Sequence, residues 1–307
     1  MQPSLESQSP TPMVSVILLT YNHEPYIANA LRSILMQDFT EPAEVLVADD
    51  CSTDGTRAII AGLLHESTFP IRVLDRPENL GLSRNLEDAM RQAQGKYISI
   101  LEGDDSWCDR MKLRRTMEQL EANSNWVGCF HAVRVVDGSG KQTSKVLPES
   151  LPTRVVQLTD LLSSMRIPTY SCVTYRRGIV TSFPAWHYRV ACGDWGLHLM
   201  HARHGPFGFL PEVMTNYRVH AAGMWSGMGE VWRLQQQLEL LRSIDQEWAG
   251  EFSVEICRTR DQLLSEFQQN LTDLRRIERR YHLLQLDRIA SGLRWLKGFW
   301  RRSSPPS

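Results

Sequence analysis

The chain has 307 residues, a formal net charge of −1, 42% hydrophobic and 22% charged residues. That length can bury a sizeable core as one large domain or one domain with an appendage, and the even charge excludes a bulk electrostatic pull toward nucleic acid. Six scattered cysteines, none in a C-x-x-C pair, exclude a zinc ribbon or a thioredoxin-type site and fit a reducing, cytoplasmic compartment.

Residues 1–12 are rich in Ser, Pro and Gln, lack the apolar core of a signal peptide and are expected to be disordered. Met13 to Thr20 is a near-continuous apolar run, the mark of a buried first strand. Tyr21-Asn22-His23-Glu24-Pro25 follows, where a dinucleotide-binding fold would need glycines. Ile27, Ala30, Leu31, Ile34 and Leu35 recur at helical spacing. Val45 to Ala48 reads as a second strand ending in Asp49 and Asp50, and Asp54-Gly55-Thr56 turns into a second helix. Ile71 to Leu74 is a third strand, and Ser83 to Ala93 a helix with Ser83 as its expected N-cap. Tyr97 to Leu101 is a fourth strand, running into Glu102-Gly103-Asp104-Asp105. This is β-α-β-α-β-α-β, the signature of a parallel sheet wrapped by helices, an α/β class.

After Trp107 the pattern loosens. Helices are expected over 111–122, 158–162 and 192–203, and strands over 126–136, 171–175 and 213–219. Asp137-Gly138-Ser139-Gly140 is a turn able to start a hairpin. Ala221 to Gly229 holds three glycines and reads as a mobile loop over residues 221–229. From Glu230 the composition turns helical and polar, so the chain divides into 1–12, a domain over 13–229 (halves 13–107 and 108–229) and a helical extension over 230–307. Between Arg275 and Arg302 nine Lys or Arg stand against two acids, a net of +7, with Leu286, Ile289, Leu293, Leu296 and Trp300 on one face. No run reaches bilayer length.

Two strand ends carry carboxylates. All carboxyl ends of a parallel sheet face one edge, where such sheets bind ligands, so Asp49–Asp50 and Glu102–Asp105 point to one shared site. Clustered carboxylates raise one another's pKa. A hard divalent ion, Mg²⁺ or Mn²⁺, removes that cost and is held by one or two carboxylates together with phosphate oxygens.

Four blocks in order resemble the family-2 inverting glycosyltransferases of the GT-A fold: Val14 to Asn22, Val47 to Thr56, Asn79 to Asn85 followed by Glu102-Gly103-Asp104-Asp105 (a variant of the DxD element, with Glu102 where many members have Asp), and Cys192-Gly193-Asp194-Trp195. The resemblance spans about residues 13 to 220 and leaves the extension uncovered. It implies a mainly parallel GT-A sheet flanked by helices. The donor would be a nucleoside diphosphate sugar, UDP-, dTDP- or GDP-linked, and the acceptor a glycan or lipid-linked hydroxyl in cell-surface polysaccharide, lipopolysaccharide or glycolipid assembly. The implied donor residues are Thr20, Tyr21 (stacking on the base), Asn22, Glu24, Asp49 (accepting a base N–H), Asp50, Arg84 (diphosphate) and Asp104 (ribose); Asp105, with Asp104, is the implied metal ligand and Asp194 the implied base.

Elsewhere each residue carries two readings. Asp194 is either that base or a helix N-cap. His220 is either a ligand of the metal or diphosphate, or a strand-end histidine with a backbone partner. Trp195 and Trp225 either stack on an acceptor sugar or are core. His198, His201 and His204 read as structural or surface residues. The basic tail either lies on an anionic membrane surface or packs as a helix, on the domain or on a second subunit. A nucleotidyltransferase would need a glycine-rich basic loop after the first strand, which Tyr21 to Glu24 is not; the rival outside catalysis is a nucleotide-sugar-binding module without transferase activity.

Overall fold

The computed structural model describes residues 11–151 and 153–272. The first half alternates strand and helix: β1 (Val14–Thr20), α1 (Ile27–Leu35), β2 (Ala43–Asp49), α2 (Thr56–Leu63), β3 (Ile71–Val73), α3 (Leu82–Gln92) and β4 (Tyr97–Glu102). The second half is mixed: β5 (Ser106–Trp107), α4 (Lys112–Ala122), β6 (Gly128–Asp137), β7 (Gln142–Leu147), β8 (Val155–Val156), α5 (Leu158–Ser163), β9 (Val173–Arg176), α6 (Gly193–Ala202), β10 (Phe207–Val219) and α7 (Glu230–Glu247).

Every residue of β1 is buried, which is why its run is apolar throughout rather than alternating. Ile27, Ala30, Leu31 and Ile34 of α1 are fully buried. They pack with Val14, Val16, Leu18, Val45, Val47 and Leu101 in the core under that helix.

One sheet runs β3-β2-β1-β4-β9-β6-β10-β5, with β7 on β6 and β8 on β10. β1 is parallel to β2 and to β4, and β2 to β3. β9 is antiparallel to both β4 and β6, and β10 is parallel to β6. The carboxyl ends of β1, β2, β4, β6 and β10 therefore share one edge. The chain moves from β1 outward to β2 and β3, then returns to place β4 on the other side of β1. That reversal opens a crevice at the carboxyl ends of β1 and β4.

Four details differ from the sequence reading. The N-cap of α3 is Gly81, at φ +79°, a left-handed backbone that glycine adopts without strain; the Ser83 hydroxyl instead donates to His187 O at 3.1 Å. β10 begins at Phe207, because Pro211 and the bulges around Val213 interrupt its pattern without ending it. β5 is too short to carry a periodicity. The compact unit runs to Ile256 and so takes in α7, beyond the composition change at Glu230: Leu240, Leu241 and Ile244 are buried, and Gln236 Oε1 accepts from Ala191 N at 2.9 Å. Residues 257–307 are a second unit, helical over its described part, 257–272. The basic tail over 275–302, and residues 1–10, lie outside the described residues.

Candidate active site

A cleft of about 410 Å³ opens at the β1/β4 crevice. Its floor is the end of β4. Gly103 separates Glu102 from Asp104, and a Cβ there would stand 2.7 Å from His23 Nδ1 and 2.8 Å from Thr20 Oγ1, so only glycine lets β4 pass the end of β1.

The acids around Gly103 face different ways. Asp104 lines the cleft, and its Oδ2 lies 3.1 Å from His220 Nε2. Burial pushes its carboxyl up, but the bond to His220 and the nearby His23 outweigh that and hold it below the usual range. Asp105 is buried under the floor, where its Oδ1 accepts from Arg218 N at 2.7 Å. Its Oδ2 is buried with no hydrogen-bond partner. Burial, then Asp104 and Glu102, push its carboxyl well above the usual range. Burial and Asp104 push Glu102 up to about 8, while its Oε2 accepts from Thr169 Oγ1 at 2.5 Å.

Arg218 ties this cluster to the far side of the sheet. Its side chain donates to Asp104 O at 2.8 Å, Asp137 O at 3.1 Å and Gly138 O at 3.2 Å, and its guanidinium lies 4.7 Å from the Tyr26 ring centroid. The sequence reading missed it. Its only signal was a basic residue before His220 at the end of a last strand.

The expected donor residues fall into three groups. Thr20, Tyr21, Asp50 and Asp104 line the cleft, and Tyr21 is 44% exposed at the rim, open to stacking. Asp50 also holds the wall, accepting from Leu80 N at 2.7 Å and Gly81 N at 2.9 Å. Asn22, Glu24 and Asp49 do not line it. Asn22, at φ +54°, accepts from Thr53 N, and Glu24 Oε2 accepts from Gly55 N, so both clamp the loop after β1 to the loop after β2. Asp49 is 1% exposed, with its oxygens on Ser52 and on Arg57 Nε at 2.6 Å. Arg84 points elsewhere: it lies 5.1 Å from the Tyr188 ring centroid in a neighbouring hollow.

Across the cleft stands Asp194, in the first turn of α6. It is not the N-cap; that position is Cys192, which makes no side-chain cap bond. Asp194 Oδ1 accepts from Trp195 N at 2.8 Å. Burial pushes its carboxyl up to about 6, with that N–H opposing. Trp195, expected at the acceptor, is core instead: it is 1% exposed and its indole N–H donates to Leu161 O at 2.8 Å. Trp225 does line the cleft. His198 and His201 are buried among Tyr175 and Phe207, and His204 is exposed, in keeping with the structural and surface reading.

Among the described residues no three His, Cys, Asp or Glu side chains converge to hold a metal by themselves. The set present is two neighbouring carboxylates, one with an unpartnered buried oxygen, beside an open cleft. That fits a hard divalent ion whose remaining ligands come from a bound diphosphate and water.

The sequence profile described as Glycosyl transferase family 2 matches residues 15–183. The chain belongs to glycosyl transferase family 2. It is 36% identical over 212 residues to an uncharacterised protein of Mycobacterium tuberculosis, covering 69% of this chain and 60% of that protein, so the chain spans about 60% of the length of that relative. A putative teichuronic acid biosynthesis glycosyltransferase of Bacillus subtilis is 27% identical over 243 residues, 77% of this chain and 92% of that one. The fold is similar to TarS of Staphylococcus aureus solved with UDP-GlcNAc (TM-score 0.58, 20% identity, 76% of this chain and 66% of that one). It is also similar to a Pyrobaculum calidifontis mannosyltransferase solved with GDP-Man and Mn²⁺ (TM-score 0.59, 22% identity, 76% and 64%). The mostly parallel sheet flanked by helices is thus that of the GT-A glycosyltransferases.

Proposed function

We propose that this family-2 chain is an inverting glycosyltransferase, moving a sugar from a nucleoside diphosphate donor to an acceptor hydroxyl in the assembly of a polysaccharide or other cell-surface glycan. The observation that carries the reading is the pair of carboxyl groups on one cleft, Asp104 held low and Asp194 raised to about 6. Environments that push two acids apart in this way separate their roles. A carboxylate near 6 is ionised at neutral pH, yet basic enough to take a hydroxyl proton as its bond to carbon forms.

Asp194 Oδ1 is oriented by the Trp195 N–H, and Oδ2 is left to receive the proton. The acceptor oxygen attacks the anomeric carbon from the face opposite the diphosphate. The new glycosidic bond forms as the carbon–phosphate-oxygen bond breaks, and the electron pair leaves with the nucleoside diphosphate. Tyr21 at the rim offers its ring to the base, and Asp50 keeps the wall formed by Leu80 and Gly81 in place. Asp104 and Asp105 would hold a divalent ion, Mg²⁺ or Mn²⁺, whose charge when bound offsets that of the departing diphosphate. His220 orients Asp104. The nucleotides in the neighbouring structures, and the Mn²⁺ in one of them, support this donor and metal class.

The test is release of nucleoside diphosphate from UDP-, dTDP- and GDP-sugars in the presence of Mn²⁺ or Mg²⁺, with the anomeric configuration of the product read by NMR. Retention of configuration overturns the single-displacement scheme. Tight nucleotide-sugar binding with no turnover against any acceptor favours a binding module.

A further inference from the structure

A second hollow of about 420 Å³ adjoins the cleft, sharing Gly81, Leu82, Ala191 and Met224 with it. Its chemistry is the reverse of the cleft's. The cleft is lined by Asp50, Glu102, Asp104 and Asp194 against Arg218 and His23, whereas the hollow is lined by Arg84 and Arg189 and by no acid. Among the described residues no carboxylate lies within 4.0 Å of either guanidinium; the acid that Arg189 acts on is Glu239, which lies outside the lining of the hollow and is paired with Arg242. The hollow is also aromatic. Tyr188 is fixed by its hydroxyl on Glu87 Oε2 at 2.7 Å and lies under Arg84. Trp232 also lines the hollow, and its ring lies 6.1 Å from that of Trp225, which lines the cleft. A continuous aromatic edge thus runs from the cleft into the hollow.

Gly193 lines the hollow and the next residue, Asp194, lines the cleft, so the first turn of α6 borders both spaces. A hydroxyl held at Asp194 is therefore one residue away from the hollow. Tyr188, Arg189, Trp232 and Gln236 all lie beyond the stretch matched by the family profile, 15–183.

We infer that the hollow is the acceptor subsite and that it takes a sugar unit carrying an anionic group, with Arg189 and Arg84 on the carboxylate or phosphate and Trp232 against the ring. The acceptor role rests on the transferase reading; the preference for charged sugars can be read without it. Two guanidiniums free to pair with an anion favour it over the neutral isostere by about tenfold or more, and ring stacking on Trp or Tyr supplies orientation.

The test titrates the full chain, with and without UDP and Mn²⁺, with methyl β-glucuronide, glucose 6-phosphate and methyl β-glucoside. Binding is read on the indole N–H resonance of Trp232, assigned by its absence in Trp232→Phe. The expected result is that at least one of the two charged sugars binds about tenfold tighter than the glucoside, and that Arg189→Gln removes the difference. The glucuronide alone names a carboxylate, and the phosphate ester alone names a phosphate. Equal affinity for all three, or a preference that Arg189→Gln leaves intact, overturns the site. UDP binding is followed separately: charged sugars that bind the hollow of a protein that never binds UDP keep the site and remove the transferase reading.

Discussion

The two halves that meet at the cleft are held in different ways. In the half up to Trp107, the site loops bond to one another within the half: Asn22 to Thr53, Glu24 to Gly55, and Asp50 to Leu80 and Gly81. These loops follow consecutive parallel strands, and these bonds among them need no residue after Trp107. The half after Trp107 does little of this. Its residues reach back across the sheet instead, Arg218 to Asp104 and Asp105, His220 to Asp104, and Thr169 to Glu102. The nucleotide side is thus organised locally. The acid cluster and the base are set by long-range docking of β10 and α6. Changes in the first-half loops that hold one another should act on donor binding, whereas changes in the second half should act on the chemistry or on the whole site.

The largest effect separates chemistry from binding most sharply. Asp194→Asn removes the base while keeping an acceptor for the Trp195 N–H, so turnover should fall by about 10²–10⁴-fold. Calorimetry of donor binding should not change, and the melting temperature at neutral pH should hold or rise, because Asn removes the buried charge that burial penalises. The next tests the docking. Arg218→Met strips a charged donor from three carbonyls and should cost roughly 3 kcal/mol of stability by denaturant unfolding. It should also weaken donor binding, although Arg218 belongs to the other half. Asp105→Asn is narrower. It keeps an acceptor for Arg218 N and removes a carboxyl that burial penalises, so the melting temperature of the metal-free protein should hold or rise, while the further rise on adding Mn²⁺ with nucleotide should disappear. The smallest effect concerns Trp195, which belongs to the core and not to the acceptor. Trp195→Phe should lower stability by about 1–2 kcal/mol through its lost bond to Leu161 O, with the acceptor KM unchanged. A raised KM would return Trp195 to the site.

The same contrast explains what could be read from the chain itself. Buried parallel strands announce themselves as apolar runs, and the acids at their ends follow directly. Asp50 and Asp104, read from the strand ends, line the cleft, and so do Thr20 and Tyr21, which the family resemblance supplied. Spacing could not say which of two adjacent acids faces the cleft. Asp49 turns to Ser52 and Arg57 while Asp50 faces inward, a matter of side-chain direction at the strand end. Arg218 was illegible because its partners lie more than 80 residues away or at that distance. Trp195 and Trp225 carry the same residue type next to site residues, and only packing separates the buried one from the wall. The hollow beside the cleft joins α3, the loop before α6 and α7, elements that no local pattern connects.

The central claim is that Asp194 is the base and that burial has tuned it. The most direct measurement is the single-turnover rate of glycosyl transfer against pH, at saturating donor and metal, for the wild type and Asp194→Asn. A base must be ionised to accept a proton, so the wild-type rate should rise tenfold per pH unit on the acid side, bend near about 6 and stay level above it. The Asn variant should be slow at every pH and show no bend there. A wild-type rate that is flat between pH 5 and 7, as roughly brackets that value, or the same bend persisting in Asp194→Asn, would contradict the assignment.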